Sequence, residues 1–312
     1  MANENIQTYG GLTAQQKTFY DRTLLERLLP KLVWGKWAQK KSMPKREGDT
    51  VNFRRFNSLP AATTPLTEGV TPDGSSLDIT AVTATTQQYG DYVTVSDKLD
   101  FQGIDPVITE TTELLGEQGG LTMDTLARNV LTAGTSVQYA NGKTARNQLT
   151  PADKVTGLEI RKAVRTLRRN KVPTIANGKY IGLITADTEF DLMDDPMWKD
   201  VSTYSAKEQI FSGEIGSLYG VKFVRTDNPR VFPAAGAEGA DVHCVTIFGK
   251  HWYGDVDVNG SKKPETIVKS HGSSGTADPL NQRATVGWKV MAYTCKILNE
   301  LCGVRIECGA TQ

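Results

Sequence analysis

The chain has 312 residues, 38% hydrophobic and 23% charged, with 36 basic and 35 acidic side chains for a net charge of +1. That length holds one large domain or two ordinary ones, and 29 glycines with 13 prolines exclude a collagen-like or low-complexity chain. The charge balance argues against a dedicated DNA-binding domain and leaves room only for local basic patches.

The opening MANENIQTYGGLTAQQ has neither the basic nor the apolar region of a secretory signal. Leu24, Leu25, Leu28, Leu29 and Leu32 fall on one face of a short helix broken near Pro30, followed by Trp34, Trp37 and the basic Lys36, Lys40, Lys41, Lys45 and Arg46. Such an arm cannot form its own core, so its apolar stripe is expected to bury against something else. From Gly48 to Leu99 the pattern is that of a long β-hairpin. Thr50–Phe56 alternates, Pro60, Pro65, Gly69, Pro72 and Gly74 mark a loose tip, and β-branched residues run on to Val95. An isolated hairpin is marginal in water, so this one is expected to lean on another surface.

Asp105-Pro106 starts a long helix that Gly134 stops, a rod of roughly 40 Å. Ile108, Leu115, Thr122, Leu126 and Val130 form its stripe, widened by Leu114, Leu121 and Leu131. Glu110, Glu113, Glu117 and Asp124, against Arg128, make one side acidic. Thr156–Lys171 is a second helix with Ile160, Val164 and Leu167 inward. Its remaining faces carry Arg161, Lys162, Arg165, Arg168, Arg169 and Lys171, which suit phosphate or nucleic acid, a solvated face or a charged neighbour equally. Tyr180–Thr185 reads as a buried strand before an acidic helix N-capped by Asp187. Gly213–Val224 is a turn feeding a strand, Val242–Phe248 is another strand, and Ala284–Leu298 with Gly303–Glu307 close the chain as a β-ribbon. The class is α+β, with helices and strands segregated.

No catalytic signature survives inspection. Gly142-Lys143-Thr144 ends like a phosphate-binding loop, but Val137 stands where the motif needs glycine, so Asn141-Gly142 is a plain turn. Gly116, Gly119 and Gly120 lack dinucleotide-binding spacing, and His271–Gly275 is one residue short of a serine nucleophile elbow. The three histidines give no metal-ligand spacing, and the cluster Asp187, Glu189, Asp191, Asp194, Asp195 has the chemistry to hold a divalent cation but reads first as an acidic helix start. Cys244, Cys295, Cys302 and Cys308 form no CxxC pair and read as free, mostly buried thiols. No enzyme, cofactor or metal is expected, and no membrane span.

The order of polar arm, long hairpin, long helix, central lobe and returning strands resembles the HK97 fold of phage major capsid proteins. Local wording is similar to the N4-gp56 family: Trp37-Ala38, Met43-Pro44-Lys45 before Gly48-Asp49-Thr50-Val51, Leu66–Pro72 (LTEGVTP), and Gln88–Val93 (QYGDYV). Gly213–Val224 resembles a turn and strand common across HK97-like shells. The resemblance implies an N-arm at 1–47, an extended E-loop at 48–99, a P-domain with a spine helix at 100–150 and 284–312, and an A-domain at 151–283. It implies a shell of hexamers and pentamers around double-stranded DNA in a tailed phage virion, assembled in the host cytoplasm. Its partners would be further copies of itself, a portal protein, scaffolding and decoration proteins, and DNA in weak contacts. The HK97 crosslinking residues find no match here. An encapsulin-like compartment holding enzyme cargo is the alternative.

Charge adds a specific expectation. Lys31–Arg55 carries eight basic and two acidic residues, so Arg54 and Arg55 are expected to pair between subunits with Glu110, Glu113 and Glu117, Glu68 at the hairpin tip belonging to the same contact set. Simple solvation of both arginines is the competing reading. Arg161, Lys162, Arg165, Arg168 and Arg169 are the residues that would face the lumen or nucleic acid.

Overall fold

The computed structural model describes residues 33–311 apart from 45, 72, 103–106, 176, 197, 199–213, 259–263, 274 and 276–277. The leucine stripe at Leu24–Leu32, the helix start at Asp105-Pro106 and Gly213 lie outside the described residues. At the centre is a seven-stranded sheet of order β5-β15-β10-β6-β8-β7, with β9 beside β10. Its strands are β5 (Val137–Tyr139), β6 (Tyr180–Ile184), β7 (Glu214–Leu218), β8 (Val221–Arg225), β9 (Val231–Phe232), β10 (Val242–Phe248) and β15 (Gly303–Cys308). Mostly apolar runs, broken in β10 only by His243 and Thr246, place β6 and β10 in the middle, where every residue of both is buried. Helix α3 (Gly157–Arg169) packs Ile160, Ala163, Val164 and Leu167 into the same core, against β10 and β15.

A three-stranded sheet, β12-β13-β4, forms a second layer from β4 (Gln87–Ser96), β12 (Glu265–Lys269) and β13 (Arg283–Tyr293). Helix α2 (Val107–Leu131, 25 residues) lies on it and packs Leu115 and Met123 against Val286, Trp288, Val290 and Tyr293. Its buried face also includes Gly116, Gly119 and Gly120, so the glycines are contact positions. Before α2, α1 (Asp97–Gln102) follows β4 directly. A third sheet joins β1 (Gln39–Met43), β11 (Tyr253–Val258) and β14 (Cys295–Ile297), and a two-stranded hairpin joins β2 (Thr50–Phe56) to β3 (Ile79–Thr85). The hairpin root is held by a small cluster of Met43, Val51, Phe53, Ala84 and Val256.

Several sequence expectations change. The hairpin ladder runs from Thr50↔Thr85 to Phe56↔Ile79, and β4 leaves it to pair with β13. A Cβ on Gly90 of β4 would sit 2.6 Å from the Trp288 carbonyl oxygen, so only glycine admits that close pairing. The closing ribbon is not a ribbon: β13, β14 and β15 belong to three different sheets. Gly213–Val224 gives two strands, β7 and β8, folded back at Tyr219-Gly220. Leu114 and Leu121, expected to widen the α2 stripe, are exposed, and α2 ends at Leu131. In helix α4 (Ala186–Asp194) the N-cap is Thr185, whose side chain accepts from the Thr188 N–H, and Asp187 lies in the first turn. The thiols are free, with Cys244, Cys302 and Cys308 buried, and burial pushes Cys244 up to about 12.

Trp34 and Asp124 depart furthest from expectation. Trp34 sits in the main core rather than awaiting a foreign surface, and β1 runs parallel to β11. The N–H groups of Val33 and Trp34 both donate to Asp124 Oδ1 at 2.9 Å, and Asn228 Nδ2 donates to Oδ2 at 3.2 Å. Asp124 is therefore a buried anchor, not part of the acidic side of α2. Burial pushes its carboxyl up and these donors pull it back. A second buried anchor is Glu307, which accepts two bonds from Arg146 at 2.7 Å and one from Arg305 Nε at 2.9 Å. Arg305 also donates to the Thr132 carbonyl just beyond α2, where the helix dipole favours a cation.

Candidate interaction surfaces

Successive strand residues point to opposite faces, so Arg55 shares a face with buried Phe53 while Arg54 stands on the open one. Both are exposed. Beyond Phe56 and Ile79 the ladder stops, and the described residues of 57–78 carry no strand. Phe56, Leu66, Val70 and Leu77 are each more than 60% exposed there, beside the exposed Glu68. A two-stranded sheet with this much bare apolar surface is under-stabilised alone, at ~25 cal/mol per Å² of apolar area left in water.

On α2, Glu110 is exposed, while Glu113 and Glu117 are half-buried and already engaged by other groups of the chain. The structure places them on one helix. Within the single chain it shows no ion pair between these glutamates and Arg54 or Arg55 among the described residues. The exposed Leu114 and Leu121 share this outer side of α2 with the glutamates.

Helix α3 presents a second surface. Leu158, Arg161, Lys162, Arg165, Arg168, Arg169 and Tyr219 line one open groove. Arg161 lies over the Tyr219 ring at 5.4 Å, a cation–π contact that sequence reasoning missed because Tyr219 enters from the β7–β8 turn. Lys162 differs from the arginines, its ammonium being tied to buried Glu159 at 2.8 Å. Among the described residues no three His, Cys, Asp or Glu side chains gather to hold a metal. None of their helices is long and apolar enough to cross a membrane.

Residues 79–306 match the phage capsid protein family, more than half of the chain. The chain belongs to that family. This phage capsid protein is a major capsid protein, a structural component of the virion shell. No curated protein matches it by sequence. Among solved structures it is similar to the capsid of cyanophage Pam1, at 17% identity and a TM-score of 0.70 over 91% of this chain and 92% of that one. It is also similar to the capsid of Ralstonia phage GP4, at 14% identity and a TM-score of 0.69 over 88% and 87%. A virus-like particle from Pyrococcus furiosus matches more loosely, at 10% identity and a TM-score of 0.52 over 93% and 98%. These likenesses establish the fold of the capsid protein, and the closer agreement is with phage capsids.

Proposed function

We propose that copies of this capsid protein assemble as hexamers and pentamers into an icosahedral shell around double-stranded DNA, as an HK97-fold protein of the N4-gp56 type. In this reading 1–47 is the N-arm, 48–99 the E-loop with β4 as its root, 100–150 and 284–312 the P-domain with α2 as spine, and 151–283 the A-domain. The observation that carries it is the hairpin, whose Phe56, Leu66, Val70 and Leu77 are left exposed by the described residues of their own chain. Each hairpin lies across the next copy, its stem residues Phe56 and Leu77 against the exposed Leu114 and Leu121 and its tip reaching beyond them. Such contacts are heterologous, and around an axis they close into rings.

Charge orients the contact. Arg54, on the open hairpin face, pairs with the spine glutamates of the adjoining copy, Glu110 first and then Glu113 and Glu117 as they exchange partners. Portal, scaffolding and decoration proteins dock on the finished or growing shell. DNA meets the wall weakly, through the arginines of α3, since a near-neutral wall does not grip phosphate along its whole area. Assembly takes place in the host cytoplasm.

The test is the double variant Arg54→Glu/Arg55→Glu. It is expected to fold, with wild-type circular dichroism, and to yield few or no closed particles by negative-stain microscopy. Normal shells from this variant would reject the charge pairing.

A further inference from the structure

Between the hairpin root and the central lobe lies a cleft of about 370 Å³. Its floor is apolar, formed in part by Phe53 and Leu298, and its walls are cationic: Arg55 from β2 with Arg54 at the rim, Lys171 just after α3, and Lys250 beside His251. Among the described residues no carboxylate lines it. Such a lining presents net positive charge and suits an anionic partner.

The walls are built to hold those cations in place. Lys171 and His251 both adopt left-handed backbone, φ 54° and 65°, which non-glycine residues adopt at a cost of ~1 kcal/mol or more. The Lys250 N–H donates to the Pro173 carbonyl at 2.9 Å and the Gly249 N–H to that of Cys302 at 2.9 Å, so the two turns and the end of the chain are tied together. Asn170 Nδ2 bonds the Leu301 carbonyl at 3.2 Å, and His251 Nδ1 pairs with Gln39 Oε1 at 2.8 Å. Burial raises the Cys302 thiol at the cleft and the Arg55 charge lowers it.

The same chain carries a complement. From Phe56 to Asp97 there is no Lys, Arg or His, and the acids are Glu68, Asp73, Asp78, Asp91 and Asp97. Asp78 is engaged by Asn57 at 2.6 Å, and Asp91 by Gln118 at 2.5 Å. Glu68 and Asp73 stand on the exposed tip, Glu68 between Leu66 and Val70, which are 77% and 62% exposed. The tip is thus apolar with carboxylates, and the cleft apolar-floored with cations.

We propose that the Leu66–Asp73 tip of one copy docks in the Arg55–Lys171–Lys250 cleft of another. This rests on the shell reading above and names a contact within it. Tip and cleft are different surfaces of one chain, so the contact is head-to-tail and continues from copy to copy. The ion pairs form at the mouth of the cleft and weaken with salt, while Leu66 and Val70 cover the floor.

Two experiments test it. In the first, Glu68→Lys/Asp73→Lys and Arg55→Glu/Lys250→Glu are each expected to raise the protein concentration needed for assembly at least about tenfold, and the four changes combined to restore it to within about threefold of wild type. Wild-type assembly by either double variant, or no rescue by the combination when all three variants fold, overturns the proposal. Normal particles from the cleft variant that bind less DNA would overturn it in favour of a nucleic-acid site. In the second, Glu68→Cys/Lys250→Cys under mild oxidation is expected to give a disulfide ladder extending beyond dimers, absent from either single variant. That readout needs no closed particles, so absence of shells with a ladder present removes the shell reading and keeps the contact. Shells without a ladder, or dimers alone, remove the contact and keep the shell.

Discussion

Asp124 shows how much of this molecule is decided by single buried carboxylates. One oxygen receives both the Val33 and the Trp34 N–H, fixing where the N-terminal segment enters the core. Truncation to alanine leaves two inward-pointing N–H groups without an acceptor. Asp124→Ala is therefore expected to destabilise the dispersed subunit by about 3 kcal/mol in urea unfolding. A loss below about 1 kcal/mol would mean that water replaces the carboxylate and that the anchor is incidental. The sequence alone placed Asp124 on the acidic outer side of α2, because its distance from Trp34 in the chain hides their contact. Glu307 was half hidden the same way: Arg305 stands two residues away on its own strand, but Arg146 is remote in the chain and meets it only in the fold.

Among elements, those whose signal is local were legible and those defined by a distant partner were not. β10 shows as a β-branched and mostly apolar run, and α3 as a helix with Ile160, Val164 and Leu167 on one face. The rejection of a phosphate loop at Gly142 agrees with a turn in which Asn141 and Gly142 are both left-handed. β4 was read as the far half of the hairpin because its β-branched residues continue those of β3, and nothing local says that the next partner is β13. The final strands were misread for the same reason. Of the candidate contacts, Arg54, Arg55 and Glu68 were legible as charges on a hairpin, whereas Lys250 and Tyr219 come to their surfaces from remote turns. The division of the hairpin has a direct consequence. Residues 57–78 can be replaced by Asn-Gly, since a two-residue turn can join the opposed Phe56 and Ile79. The shortened protein is expected to keep wild-type circular dichroism and thermal stability within a few degrees while forming no shells. Normal shells from it would show that the tip takes no part in assembly.

For the whole molecule, two filled cores and one small cluster explain why a capsid protein can fold and still be unfinished. The central sheet with α3 and the β12-β13-β4 sheet with α2 each enclose a core within one chain. The hairpin buries only its root, around Val51 and Phe53, and in the proposed shell its tip is covered by a neighbouring copy. Contacts of modest strength, several per copy, add up to a closed particle far more stable than any pair. A net charge of +1 lets copies approach without strong mutual repulsion, and leaves the local segregation of cations and acids to set the direction of each contact. The most direct measurement is mass photometry with negative-stain imaging of the purified wild-type protein across a concentration and salt series. The account predicts closed, hollow particles appearing above a threshold concentration and receding as salt rises. A compact, stable monomer at every concentration and salt would contradict it.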